Sequence, residues 1–189
     1  MSRNPWDGSL AVTLEVCGRE YAIRSDYRVA LDICATLADP ELDRRDQALM
    51  AMIALYTDFK DIPAAHYLEA LQKCAWYLNG GDDERRLPGP KLMDWKQDFR
   101  YIIAPINRVL GREARAQEYL HWWTFLSAYY EIGDCLFTQI VRIRYLQAYG
   151  KPMDKEDWEW YRRNRQLVEL RHTYTEQEDA VLEAWAGKK

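Results

Sequence analysis

The chain of 189 residues carries 26 Lys and Arg against 30 Asp and Glu, a formal charge of −4, with 48% hydrophobic residues. That length can bury a substantial core, and that apolar content sets it apart from disordered chains. The acidic balance argues against a general nucleic-acid binder, which needs basic charge to neutralise phosphates, and no apolar run approaches the ~20 residues that cross a bilayer.

Residues 10–23 read as a β-hairpin. Leu10, Val12, Leu14 and Val16 alternate with period two, and Tyr21 and Ile23 repeat the pattern after Cys17-Gly18-Arg19-Glu20. Gly18 supplies the positive φ of a tight turn. Two strands alone are marginal in water, so the hairpin must rest on helices. Ser25 or Asp26 can cap the first helix, whose stripe is Tyr27, Ala30 or Leu31, Cys34, and Leu37 or Ala38. Asp39-Pro40, aspartate cap and first-turn proline, predicts a second helix running to about Tyr56 and burying Leu42, Leu49, Met52 or Ile53, and Tyr56. Ile62-Pro63 opens a third through Tyr67, Leu71, Cys74 and Leu78, stopped by Asn79-Gly80-Gly81.

Glycine, proline and charge then dominate up to Lys91, the composition of a linker. Beyond it, Asp94 and Gln97 read as a capping box for a helix with Trp95, Phe99, Ile102, Ile103, Ile106 and Leu110 on one stripe. Pro105 within it predicts a kink near Tyr101, and Gly111 a stop. A helix over about 114–131 carries Trp122 and Trp123. Another over about 134–148 carries Leu136, Ile140, Ile143 and Leu146 or Gln147. Asp154 caps the next, through Trp158, Tyr161, Arg165 and Val168, and Thr175-Glu176-Gln177-Glu178 opens a short tail helix with Val181, Leu182 and Trp185. The fold class is mainly α, a multi-helix bundle with a short N-terminal β-hairpin. The expected organisation is hairpin plus three helices over 1–79, a linker at 80–91, a helical subdomain over 92–174 and a tail at 175–189.

Chemistry-bearing patterns are sparse. His66, His121 and His172 share no helical face, and Cys17, Cys34, Cys74 and Cys135 are widely spaced, as expected of free thiols in a reducing cytoplasm. The N-terminus lacks the apolar core of a signal peptide. Gly80-Gly81 has no Lys-Ser/Thr to make a phosphate cradle. No catalytic, cofactor or metal site is expected, and the chain reads as a non-enzyme. Arg142, Arg162, Arg163, Arg165 and Arg171 interleave with Glu156, Asp157 and Glu159 as an ion-paired surface would. Arg144 differs, because it lies beside the apolar Ile140 and Ile143. A buried arginine needs a carboxylate, and Asp98 is the candidate partner in a structural ion pair.

The most distinctive segment is Tyr119-Leu120-His121-Trp122-Trp123-Thr124-Phe125. Adjacent helical positions differ by about 100°, so the two indoles diverge. One is expected in the core with Tyr119, Leu126 and Tyr130, the other at a helix seam or a partner surface. Trp122, Trp123 and Phe125 are therefore the candidate partner-binding residues.

Taken together, Asp26-Tyr27-Arg28-Val29-Ala30-Leu31-Asp32-Ile33 after a hairpin, then Leu55-Tyr56, Ile62-Pro63 and Glu69-Ala70-Leu71, resemble the bacteriophage gene-product-fifteen family. The helix from Asp98 through Tyr101-Ile102-Ile103, the element His121-Trp122-Trp123-x-Phe125, and Gln139-Ile140-Val141-x-Ile143-Arg144 extend the likeness over roughly residues 10–170. One departure lies before the Trp pair, where the family has Gly-Ile-Asp-Leu and this chain reads Gly111-Arg112-Glu113-Ala114. The resemblance implies a tail-morphogenesis protein of long-tailed phages and prophages, in the position of a tail assembly chaperone acting on the tape measure protein. Helix-in-groove contacts would serve that role. It further implies absence from the mature virion, while the composition points to the host cytoplasm and away from nucleic-acid or membrane partners. The alternative is a minor structural tail or virion protein. Self-association is left open by the sequence.

Overall fold

The computed structural model describes residues 10–82 and 89–171. The middle of the linker, His172 and the expected tail helix after Thr175 lie outside them. The fold is mainly α, with a two-stranded antiparallel hairpin ahead of the helices. The described residues form two compact units. The first holds residues 10–38, 43–82 and 117–127, and the second residues 39–42, 89–116 and 128–171. The division does not follow the linker alone, because the segment carrying the Trp pair is counted with the N-terminal elements.

In the first unit, β1 (Thr13–Val16) pairs with β2 (Arg19–Ala22), with Val16 opposite Arg19, so the turn is only Cys17 and Gly18. Both have positive φ, 49° and 78°, as a two-residue type I′ turn requires. Cys17 is an unusual choice there. Its N–H donates to Glu69 Oε1 at 2.9 Å and its thiol to Oε2 at 3.0 Å, which fastens the turn to the third helix. These bonds hold the Glu69 carboxyl below its ordinary range. Leu14, Val16, Tyr21 and Ile23 face the core, whereas Leu10 and Val12 are exposed and Ala11 is buried between them.

Helix α1 (Tyr27–Leu37) starts on Asp26, whose carboxylate accepts the Arg28 N–H, and buries Tyr27, Ala30 and Ile33. Helix α2 (Arg44–Leu55) begins one turn later than Asp39-Pro40 predicts. Asp43 accepts the N–H groups of Arg45 and Asp46, while Asp39 accepts that of Glu41 within a turn. Helix α2 buries Ala51, Met52 and Leu55, with Ile53 exposed and Leu42 and Leu49 half-buried. At the far end the Arg24 guanidinium lies within hydrogen-bond reach of the carbonyls of Ile53, Ala54, Tyr56 and Thr57, where a cation complements the helix dipole. Two 3₁₀ turns, Phe59–Asp61 and Ala64–His66, occupy the expected start of the third helix, so α3 spans Tyr67–Leu78 and buries Ala70, Cys74 and Tyr77. All four cysteines are free thiols, and burial pushes Cys34 up to about 11 and Cys74 to about 12.

The second unit contains α4 (Trp95–Leu110) and, after a shorter helix α5 (Trp122–Tyr130), α6 (Leu136–Ala148) and α7 (Lys155–Val168). Asp94 caps α4 by accepting the Gln97 N–H. The reciprocal bond of the expected capping box comes from Asp98, not Gln97: Asp98 Oδ2 accepts the Asp94 N–H. The Gln97 side chain instead donates to the Glu169 carbonyl and accepts the Arg171 N–H. Helix α4 passes through the buried Pro105 as one element and ends on Gly111 in the left-handed conformation. In the Gly111-Arg112-Glu113-Ala114 turn, Glu113 is held by several donors. It accepts from Asn107 and from the Arg115 backbone and guanidinium, which hold its carboxyl at about 2. The residues expected to be helical from 114 form a 3₁₀ turn at Ala114–Ala116, and α5 begins only at Trp122.

Arg144, on α6, organises this unit. Its guanidinium is buried and all five N–H groups have acceptors. Nε donates to the Val168 carbonyl (2.6 Å), Nη1 to Leu92 O (3.1 Å) and Asp98 Oδ2 (2.6 Å), and Nη2 to Asp98 Oδ1 (3.0 Å) and Leu167 O (3.0 Å). One side chain thus joins the start of α4, the middle of α6 and the end of α7. Breaking a buried ion pair by removing one partner costs ~3–5 kcal/mol. Here Arg144→Met would also strand three backbone carbonyls, whereas Asp98→Asn keeps an acceptor. Urea unfolding is expected to show the arginine variant losing more stability than the asparagine variant. An Asp98→Asn/Arg144→Met double variant should stay close to the arginine single, because the stranded carbonyls remain.

Candidate functional site

The two motifs that carry the family likeness in the first unit lie about ninety residues apart in sequence and form one structural joint. The segment before α5 runs antiparallel to the entry of α1. Tyr27 N–H donates to Leu120 O and Trp122 N–H to Ser25 O, both at 2.9 Å, around an Asp26–His121 bridge. Asp26 serves both sides: Oδ1 accepts the Arg28 N–H, and Oδ2 accepts the Leu120 N–H at 3.0 Å. Arg28 pairs with Asp26 and donates onward to Gln117 O at 2.7 Å. Ser25 Oγ and the Tyr119 hydroxyl are 2.8 Å apart, and the Tyr77 hydroxyl donates to Ser25 O.

His121 is buried and caps α5. Its carbonyl accepts the Phe125 N–H and its Nδ1 accepts the Trp123 N–H at 3.0 Å. With Nδ1 acting as acceptor, the ring proton sits on Nε2, which donates to Ala11 O at 2.9 Å. Burial lowers its pKa, and the geometry demands the neutral ring.

Both tryptophans close the end of α3. Trp122 Nε1 donates to Leu78 O at 3.0 Å and Trp123 Nε1 to Tyr77 O at 2.8 Å, satisfying carbonyls that a helix C-terminus leaves without intrahelical partners. Trp122 stacks with Phe125, which stacks on Tyr27 with ring centroids 4.5 Å apart. Trp123 packs edge-on against Trp76 and His121 and tilted on Tyr77. Gly81 makes room for it, since a Cβ there would sit 3.1 Å from the indole. The Gly80-Gly81 pair is thus a close-approach device as well as a helix stop.

This placement corrects part of the expectation for the Trp segment. Trp122 is 2% exposed and Phe125 0%, so neither offers a surface to a partner; of the three candidates only the half-buried Trp123 has accessible area. Tyr119, expected in the core, is 54% exposed, because α5 begins at Trp122 and an extended strand has no helical stripe; Tyr130, also expected there, is the last residue of α5 and is 56% exposed. Leu126 is buried. Asp98 and Arg144 are brought together in the second unit as described above. The sequence pattern marks Asp26 as a helix cap but carries no signal for its bond to the Leu120 N–H or for Tyr77. The capping role of His121 escaped the sequence reading. A histidine one position before an aromatic helix start was the available signal, since its ring can cap only if a donor lies two residues on. The joint is a hydrogen-bonded aromatic scaffold, and among the described residues no group of three His, Cys, Asp or Glu could hold a metal ion.

The family model for Bacteriophage Gp15 protein matches residues 7–170, most of the chain. The chain belongs to the bacteriophage Gp15 protein family. No curated protein and no solved structure matches it. The matched span of this Gp15-family chain includes the Asp26 element, the Asp98 helix, the Trp pair and Arg144.

Protonating His121 would place an N–H against the Trp123 N–H. With its folded pKa below the unfolded value of ~6.5, the stability it contributes is present above that pH and lost as pH falls towards the lowered value. A series of urea midpoints against pH should show this loss in the wild type. His121→Asn, which keeps an acceptor near the Trp123 amide and gains no proton, should flatten the profile in that window. For the tryptophans, truncating the buried one is expected to cost ~3–5 kcal/mol, so Trp122→Ala should unfold at clearly lower urea than Trp123→Ala.

Proposed function

We propose that this phage protein works through binding, as a tail assembly chaperone for the tape measure protein, and not through catalysis. The observation that carries the reading is where its distinctive residues sit. Trp122, Phe125, Asp98 and Arg144 are committed to the interior, so they build a scaffold. The side chains left for function are apolar ones on helix surfaces, among them Met50, Ile53, Leu68, Val109 and Trp158. Such exposed apolar residues are the ingredients of helix-in-groove recognition, which would shield long apolar helices before tail-tube subunits polymerise around them. The arginines of α6 and α7 support a protein partner over nucleic acid. Arg142 pairs with Asp157, Arg163 with Glu159 at 3.7 Å, and Arg165 with Glu169 at 2.5 Å. In this proposal the client is the tape measure protein, the place of action is the host cytoplasm, and the protein is absent from the finished virion.

The test is co-expression with the tape measure protein encoded by the same phage. The expected outcome is a soluble complex that co-purifies, with the client aggregating when expressed alone. A client that is equally soluble without this protein would overturn the chaperone reading, and stoichiometric recovery of the protein in purified virions would replace it with a structural role.

A further inference from the structure

Helix α7 is two pieces. At Asn164 the backbone leaves the helical region, with φ −119° and ψ 21°. The Asn164 side chain donates to the Trp160 carbonyl, the acceptor that the Asn164 N–H serves in an unbroken helix. Each piece has its own fastening. The first is held to α6 by the Arg142–Asp157 ion pair. The second runs from Arg165 and continues to Arg171, and it is held through its backbone. Arg144 donates from Nε to the Val168 carbonyl and from Nη2 to that of Leu167. The Gln97 amide donates to Glu169 O and accepts the Arg171 N–H, both at 2.8 Å, as a neighbouring peptide group would. Among the described residues of α7 only Asp157 and Val168 are buried, while Arg165, Gln166, Glu169 and Arg171 are exposed. One exposed bond, from the Tyr161 hydroxyl to Glu169 Oε1, crosses the break.

Arg144 can release this second piece and keep its buried partner. Asp98 is bound at the Nη1–Nη2 end of the guanidinium and Leu92 O at Nη1, whereas the Val168 and Leu167 carbonyls lie along its Nε–Nη2 side. Opening therefore leaves the ion pair intact and lets water reach one edge of the arginine. We infer that residues 165–171 are a strap that swings about Asn164, and that the seat it leaves takes the C-terminal end of a helix from another protein. The chemistry of the seat defines that ligand. Two donors on Arg144 suit successive carbonyls, which a helix end leaves without intrahelical partners. One apolar place takes a β-branched side chain, and Gln97 takes the extended residues that follow. Apart from Val168, the contacts are to backbone atoms, so a helix end with a β-branched residue at that position competes with the strap. The site is separate from the exposed apolar side chains assigned to the client, and it is tested on the protein alone.

Native-state hydrogen exchange of the full chain tests the strap. The Val168, Glu169 and Arg171 amides should exchange through one shared opening well below global unfolding, and those of Ile102 and Ile143 only with it. Gln97→Ala, which removes two hydrogen bonds to the strap, should speed strap exchange by about tenfold and leave the slowest amides near their wild-type rates. Gln166→Ala, at an exposed strap position, should change neither. A labelled peptide of residues 163–171 tests the seat. It should bind a Val168→Ala chain, whose own strap sits more loosely, several-fold tighter than the wild type. The same peptide carrying Val168→Asp should not bind. Strap amides that exchange only with Ile143 would overturn the strap. A native peptide that binds neither chain, or an altered peptide that binds as well, would overturn the seat.

Discussion

A buried guanidinium has five N–H groups to satisfy and no water to satisfy them. In the second unit that constraint dictates the architecture. The Asp98 carboxylate takes two donors, and the carbonyls of Leu92, Leu167 and Val168 take the other three. For those atoms to converge, the approach to α4, the middle of α6 and the end of α7 must hold one geometry. A lysine could not replace Arg144, since an ammonium has three donors and no planar fork to match a carboxylate. Apolar contacts such as those of Ile102, Ile106, Ile140 and Ile143 supply the burial, and the guanidinium supplies the register.

The first unit solves a different problem, the exposed carbonyls at the end of α3. Two indoles donate to them side by side. This works because Trp122 and Trp123 sit in the first turn of α5, where His121 holds the backbone in place from both ring nitrogens. Asp26 then ties the same segment to α1. A motif that reads as a binding site in sequence is therefore mostly a clamp. The surfaces available for contact lie on the outer faces of helices, where the motifs do not reach.

Much of this was legible in the residues, and the failures share a cause. The hairpin, its Gly18 turn, the caps at Asp26, Asp94 and Asp154, and the stop at Gly111 depend on interactions within a few residues, so their signals are local. Asp39 and Asp43 are chemically equal caps, so sequence alone does not choose between them; the structure uses Asp43 for α2 and Asp39 for the preceding turn. Residues 117–121 fall within the helix expected over about 114–131. They are extended because their backbone N–H and C=O groups bond the entry of α1, far away in sequence.

The sequence by itself determined the mainly helical class, the N-terminal hairpin and the membership of a phage family, because periodicity, caps and motif order are properties of neighbouring residues. It also singled out Asp98 and Arg144, since an arginine on an apolar face has so few ways to be tolerated. Tertiary structure decided which tryptophan is buried, that His121 is held neutral as a cap, that the Asp26 and His121 motif segments are one joint, and that α2 keeps Met50 and Ile53 uncovered. Each of those depends on which distant backbone group arrives at a given side chain, and no local pattern carries that information.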